Sequence, residues 1–259
     1  MKNKITAIIP TLNEESFIEL AIDSVLFADE IIIIDSFSTD KTVELAKKHK
    51  IRLIQRKFDD FSSQKNYAID LAKHNWIYIL DADERVPAEL RDEILDVLKN
   101  PKEIVGFYTY RTFYFLEQKI KHGGWQTDKV IRLFRKDKCK YNGNLVHEII
   151  DYEGEVGFLQ NRIEHYSYRS YDHYLKKLNQ YASLQAEELY AKKKNVNIFH
   201  IGLKPPFRFF VHYIVRLGFL DGFPGFVLAA QHSFGVLTRY IKLRLLYKND
   251  RKRNKQVQL

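Results

Sequence analysis

The regular exchange of strand-like and helix-like stretches over the first hundred residues limits this chain more than any other feature. Residues 5–9, 31–34, 51–55 and 76–80 are short runs of β-branched, aromatic and other apolar side chains, read as buried strands. Helical patterns at 15–27, 40–49 and 62–73 separate them, with Ser38 or Thr39 expected to cap the second and Ser62 the third. Pro87 then suits the first turn of a helix over 88–98. Parallel neighbours need a crossover of about a dozen residues or more, which helices of this length supply. The pattern predicts an α/β fold with a parallel sheet covered on both faces.

From Gly106 the character changes. GFYTYRTFYF and then KVIRLFR alternate as further strands, so the second half of the sheet is expected to be mixed. Residues 170–193 return to helix. After Lys204-Pro205-Pro206, large apolar residues dominate while Arg208, His212 and Arg216 recur four apart on one helix face. DGFPG is expected to break the chain before a second, interrupted apolar helix. The net charge of +9 is concentrated at the end, where eight Lys or Arg after Thr238 stand against Asp250. Two amphipathic helices with a basic tail form the pattern of an interfacial anchor on an anionic membrane surface. Residues 1–200 are therefore expected to form one domain, and 201–259 the membrane-surface appendage. A single cysteine, Cys139, fits a reducing compartment. The N-terminal apolar stretch is too short for a signal peptide. No run of about 18 or more uninterrupted apolar residues predicts a simple spanning helix.

Ligands of open α/β sheets sit outside the carboxyl ends of the strands. Here those ends carry Pro10-Thr11-Leu12-Asn13-Glu14-Glu15, then Asp35 to Asp40, the loop after Gln55, and Asp81-Ala82-Asp83. Neither G-x-G-x-x-G nor G-x-x-x-x-G-K-[ST] follows the first strand, which removes the usual phosphate cradle of dinucleotide and P-loop proteins. The strand 76–80 runs into Asp81, Asp83 and Glu84, carboxylates that repel unless something positive lies among them. A divalent cation bridging a D-x-D to a diphosphate meets that need.

IIPTLNEE, IIIIDSFSTDKT and SSQKNYAIDLAKHNWIYILDADE together resemble the family 2 glycosyltransferases of GT-A fold, with motifs over about residues 4–165. NGNLVHE, IEHYSYRS and GFLDGFPGF resemble the subgroup that glucosylates the inner core of lipopolysaccharide or lipooligosaccharide. The resemblance implies a Rossmann-like mixed sheet flanked by helices, with the amphipathic helices C-terminal. It implies nucleotide binding by Pro10, Thr11, Asn13 and Glu14, with Asp35 on the uracil base. Lys65 stands where the family often has arginine, which keeps a charge contact and loses a bidentate one. Asp81 would face the ribose or a metal-bound water. Asp83 and His165 would hold Mg²⁺ or Mn²⁺, imidazole favouring Mn²⁺.

Inverting transfer also needs a base, and the E-D pair that many members use is missing here. Glu148 is the candidate catalytic base, with Asp151 and His147 as alternatives. Arg132 and Arg135 lie three apart on one strand and share a face only with a bulge; one of them reaching phosphate is weighed against ordinary sheet-surface charge. His122-Gly123-Gly124-Trp125 reads as an acceptor-side loop or lid, or as a plain turn.

The implied protein is a metal-dependent enzyme moving a hexose, glucose, from a UDP-sugar to a core heptose of a glycolipid at the cytoplasmic membrane surface. Two other readings are weighed: a family 2 enzyme with a different polysaccharide or lipid acceptor, and a nucleic-acid-binding protein using the basic tail. The second leaves the acidic strand ends unexplained, so no nucleic-acid partner is expected. A nucleotidyltransferase is disfavoured by PTLNEE standing where its Gly-rich basic loop belongs. Oligomeric state is not legible.

Overall fold

The structure, a computed structural model, describes residues 3–142, 149–168 and 170–257, with side chains described as far as Asp250. The chain divides into two compact units, Met1–Thr112 with Thr127–Ser167, and Phe113–Gln126 with Tyr168–Leu259. The division at 200 read from the sequence separates expected roles. Division by packing places residues 113–126 and the helix after Ser170 with the C-terminal segment.

The first unit is built on β1 (Ile5–Thr11), β2 (Glu30–Asp35), β3 (Arg52–Gln55), β4 (Trp76–Ile79) and β5 (Glu84–Arg85), with α1 (Ile18–Ser24), α2 (Thr42–Ala46), α3 (Phe61–Leu71) and α4 (Ala88–Val97) between and after them. There follow β6 (Ile104–Phe115), β7 (Gln118–Lys119), β8 (Lys129–Arg135), β9 (Cys139–Tyr141), β10 (Ile150–Tyr152), β11 (Glu155–Phe158) and β12 (Ile163–His165). The strand order is β3-β2-β1-β4-β8-β6-β12-β5. The first four strands pair in parallel, as the alternation predicts. β8 then runs antiparallel to both β4 and β6. This is the mixed sheet flanked by helices expected of the sequence.

Side-chain alternation explains why both faces are covered. Ile5, Ala7, Ile9, Ile31, Ile33 and Tyr78 pack on one side with Ile18 and Ile22 of α1 and Leu90 and Ile94 of α4. Ile8, Ile32, Ile34, Ile77 and Ile79 point to the other side, onto Ala68 and Ile69 of α3. The helices are shorter than their patterns suggested, and their starts differ. Asp60, not Ser62, caps α3 by accepting from Ser63 N at 2.8 Å. At α2 the N-cap residue Lys41 offers no side-chain cap; Asp40 Oδ1 instead accepts from Thr42 N at 3.0 Å, while Asn13 and Ser38 are engaged between loops.

The second unit contains α5 (Tyr171–Ala191), α6 (Ile198–Gly202), α7 (Lys204–Phe210), a π-helical turn (Val211–Val215), a 3₁₀ turn (Gly218–Asp221) and α8 (Gly222–Val257). Ala182 and Ala186 of α5 and Ala229, Val236, Tyr240 and Leu243 of α8 are buried, at the spacing of single helix faces. The sequence placed the chain break at DGFPG. The reversal instead lies one step earlier, where Leu217 adopts the left-handed conformation (φ 58°). Gly225 packs so closely that an added Cβ would lie 2.0 Å from the Gly218 carbonyl oxygen. Pro224 falls in the first turn of α8, where a missing N–H costs no helical bond. α8 then continues uninterrupted through Gly235.

Among the described residues no single helix is long and apolar enough to cross a membrane. The pair Ile198–Val215 and Gly218–Asp250, bent by 71°, meets that length and composition jointly. Phe207 (67% exposed), Phe210, Val215, Leu220 and Phe223 (71%) leave much of this pair's apolar surface uncovered.

Candidate active site at the carboxyl ends of the strands

The loops after β1 and β2 are latched to one another by side chains the sequence marked. Asn13, in the left-handed conformation (φ 57°), accepts from Thr39 N at 2.8 Å and donates its own N–H to Ser38 Oγ at 2.9 Å. Glu14 N donates to Thr42 Oγ1 at 2.7 Å, while Glu15 N donates to Asp40 and Lys41 N donates back to Glu15. Pro10 and Thr11 close β1, and Thr11 is buried beside Asp35. The four expected nucleotide-loop residues are thus held in one rigid corner.

Asp35 is placed there too, but its carboxylate is fully buried. It accepts from Ser38 N (3.0 Å), Ser38 Oγ, Gln55 Nε2 (3.1 Å) and Thr11 Oγ1 (3.4 Å). Here the acid organises the loop through Ser38, Gln55 and Thr11, so a base that reached its carboxylate would replace one of these partners. The physical cause is its position at the last residue of a central strand, where an unpaired carboxylate is too costly to leave.

The acidic end of β4 is not a set of bare repelling charges. Glu84, wholly buried, accepts from Arg111 Nε at 2.8 Å and Arg132 Nη2 at 2.7 Å through Oε1, and from Asp81 N at 3.1 Å through Oε2. Asp81 pairs with Arg132, lies 3.6 Å from Lys65 Nζ and 3.7 Å from Arg111 Nη2. Burial pushes the Asp81 carboxyl up, but Arg132, Lys65 and Arg111 outweigh it and hold it well below the usual carboxylate range. Arg132 sits at a bulge of β8 against β6, where the register shifts. Arg135 faces elsewhere and pairs with Asp137 at 2.8 Å.

Asp81 and Glu84 are therefore neutralised by the chain's own cations, correcting the expectation that a dication must reconcile the whole cluster. Lys65, on α3 and buried, also lies 5.2 Å from the Tyr141 ring centroid. The sequence reading missed Glu84 and Arg111 as partners; ion pairing between strands so distant along the chain leaves no local signal.

Asp83 meets His165, Nε2 to Oδ2 at 3.4 Å. Antiparallel pairing of β12 with β5 sets His165 opposite Glu84, and Tyr166 N donates to the Asp83 carbonyl at 2.8 Å. Arg85 ties this turn to the first loop, donating to the Phe17 carbonyl at 2.9 Å. No group of three or more His, Cys, Asp or Glu side chains converges among the described residues. A carboxylate with an imidazole still fits Mn²⁺ or Mg²⁺, which take one or two protein ligands and complete their shells with phosphate oxygens and water.

Glu148 and His147 lie outside the described residues. Asp151 is exposed on β10, opposite Lys140 of β9. The His122-Gly123-Gly124-Trp125 turn belongs to the second unit and is pinned in place. Asp221 accepts from Lys121 N (3.1 Å) and His122 N (2.8 Å), Gly123 N donates to the Arg216 carbonyl (2.8 Å), and His212 Nδ1 donates to the Gly123 carbonyl (2.7 Å). That anchoring argues against a lid.

Residues 6–152 match the family described as glycosyl transferase family 2. Over 258 residues the chain is 31% identical to an uncharacterized glycosyltransferase of Rickettsia felis, covering 93% of this chain and 89% of the relative. It is 29% identical over 228 residues to the lipopolysaccharide core biosynthesis glycosyltransferase LpsC of Rhizobium meliloti, covering 85% and 83%. Glucosyl-3-phosphoglycerate synthase of Mycobacterium tuberculosis, solved with Mg²⁺ and uridine diphosphate, aligns with a TM-score of 0.37 at 22% identity, over 42% of this chain and 44% of that one.

Proposed function

The chain belongs to glycosyltransferase family 2 and is a glycosyltransferase, and from that premise we propose that it moves glucose from UDP-glucose to a heptose of a lipopolysaccharide or lipooligosaccharide core. The observation that carries this reading is one strand-end turn that holds both the Asp83–His165 pair and Asp81, around which Lys65, Arg111 and Arg132 gather. The similarity to LpsC, named for lipopolysaccharide core biosynthesis, supports the acceptor class.

In this reading the latched loops of Pro10, Thr11, Asn13 and Glu14 hold the nucleoside, supported from beneath by Asp35. Lys65 supplies a point charge toward the phosphates, and Arg132 and Arg111 keep Asp81 ionised and fixed in orientation. Asp83 and His165 would hold Mn²⁺ or Mg²⁺, whose charge stabilises the departing diphosphate. Glu148 takes the proton from the acceptor hydroxyl as its oxygen attacks the anomeric carbon. The C1–O bond to UDP breaks on the opposite face, and the configuration inverts. The uncovered apolar surface of α7 and α8, with the basic residues in the second half of α8, would dock at the anionic cytoplasmic leaflet where a glycolipid acceptor resides.

The test is a panel of UDP-sugars with Mn²⁺ and isolated lipid acceptors, scored by UDP release and product mass. UDP-glucose is expected to be turned over, Asp83→Ala to abolish turnover, and Glu148→Gln to remove transfer while UDP still binds. Full turnover by Asp83→Ala sinks the mechanism. Surviving transfer in Glu148→Gln places the base elsewhere.

A further inference from the structure

We propose that the second unit carries a binding pocket for a negatively charged saccharide group, built on Arg208, Arg239, Trp125 and Tyr181. The cavity measures about 280 Å³ and lies among α5, α7, α8 and the Trp125 turn. Among the described residues two arginines line it and no aspartate or glutamate does. Neither arginine forms an ion pair with a carboxylate among the described residues. Their charge faces the cavity uncompensated, the condition under which an anion gains most.

Arg239 is positioned before any ligand arrives. Arg239 Nη1 donates to Gln185 Oε1 at 3.0 Å, its guanidinium stacks 4.8 Å from the Tyr240 ring centroid, and its Nε is buried with no partner. A guanidinium fixed in this way loses little freedom when it grips a carboxylate or phosphate. Beside it the imidazole of His232 packs 4.4 Å from that of His212 and 5.4 Å from Trp125, centroid to centroid.

His212 Nδ1 faces the Gly123 carbonyl, which only accepts, so this nitrogen carries the proton and Nε2 is an acceptor. That Nε2 and His232 Nδ1 are both buried without partners. Native proteins leave few such atoms, and two of them, Arg239 Nε and His232 Nδ1, belong to residues that line the cavity, which favours a ligand rich in hydrogen-bonding groups. Burial, the neighbouring His212 and the surrounding arginines push the His232 pKa down to about 4, so at neutral pH the pocket's charge is that of the arginines.

Size and lining narrow the ligand. A volume of about 280 Å³ falls just below the roughly 300–1,000 Å³ of sites that enclose drug-sized molecules, too small for a nucleotide-sugar. It suits one sugar ring with an acidic substituent. Trp125, Tyr168 and Tyr181 line the cavity with aromatic rings that have apolar faces for the C–H side of such a ring and polar edges for its hydroxyls. Identifying this ligand with an acidic sugar of the acceptor rests on the glycolipid reading above; the preference for anions does not.

The experiment follows the Trp125 indole N–H by NMR, assigned with Trp125→Phe, during titration with glucose 6-phosphate, glucuronate, glucose and inorganic phosphate, and in a separate arm with phosphatidylglycerol vesicles. Glucose 6-phosphate and glucuronate are expected to shift the signal saturably, and glucose at the same concentration is not. Arg208→Gln with Arg239→Gln should weaken binding roughly tenfold or more, the scale of lost charge-assisted hydrogen bonds. Arg208→Lys with Arg239→Lys should recover part of it, with thermal melts reporting folding in both. Absence of a saturable shift, equal binding of neutral glucose, or unchanged binding by the folded Gln pair overturns the proposal. A response to vesicles and not to the acidic sugars also overturns it, assigning the arginines to lipid headgroups. Binding of acidic sugars by protein that releases no UDP from any UDP-sugar upholds the pocket and refutes the transfer reading alone.

Discussion

Replacing Glu84 by Gln isolates the energetic role of the buried network under the D-x-D turn. The amide keeps the shape of the side chain and loses one acceptor and the charge. Glu84 is wholly buried and accepts from Arg111 and Arg132 on one oxygen and from Asp81 N on the other. In the Glu84→Gln variant the new NH₂ group must face either the two guanidinium donors or the Asp81 N–H, so donor meets donor in either rotamer. Removing one partner of a buried ion pair costs about 3–5 kcal/mol, because the other charge stays buried. Asp81 remains against Arg132 and compensates in part, which sets the expectation near the lower bound, about 3 kcal/mol. At about 2–4 °C per kcal/mol for a domain of this size, the melting temperature should fall by about 6–12 °C. Urea unfolding followed by circular dichroism measures the loss directly. The exposed pair Lys99–Asp96, 3.1 Å apart, is the control, and Lys99→Ala should change stability by less than about 0.5 kcal/mol. A loss below about 1 kcal/mol in Glu84→Gln would refute the claim that the arginines depend on this carboxylate.

The half-buried His232, with its pKa pushed down to about 4, makes the stability of the second unit depend on pH. Below its unfolded value of about 6.5 the unfolded chain binds the proton and the folded one does not, so stability present above pH ~6.5 is lost as pH falls toward ~4, roughly 2 kcal/mol of it by pH ~5. Melting curves across that window should show the slope, and His232→Gln should flatten it; an unchanged slope in the variant would place the titration on another group. For the apolar surface of α7 and α8, sedimentation with phosphatidylglycerol vesicles should carry the protein down, and Phe207→Asp with Phe223→Asp should leave it in the supernatant. Binding that survives both substitutions would count against insertion by these side chains.

The sheet was legible because each of β1, β2 and β4 is a short apolar run whose alternate residues are needed on two covered faces, and the helical patterns between such runs point to a parallel sheet between helices. The strand-end loops were legible for a similar reason: Asn13, Asp35 and Asp83 have little purpose beside buried strands unless polar groups are needed there. Asp35 nevertheless reads in sequence as an acid presented to a ligand and proves to be the buried centre of a hydrogen-bonded loop. Pro224, read as a breaker, begins a helix, because a proline's effect depends on which turn it occupies and the start of α8 was set by the Leu217–Asp221 reversal.

Sequence alone determined the α/β class, the edge of the sheet where the polar strand ends gather, and the acidic residues found there, since each of these follows from local periodicity and residue type. Tertiary structure decided how the acids are divided. Glu84 and Asp81 are held by arginines from β6 and β8, while Asp83 turns to a histidine on β12. It likewise brought Arg208, Arg239, Trp125 and His232 around one cavity. Coulomb forces and packing act between residues close in space, and the chain brings these neighbours together only when it folds.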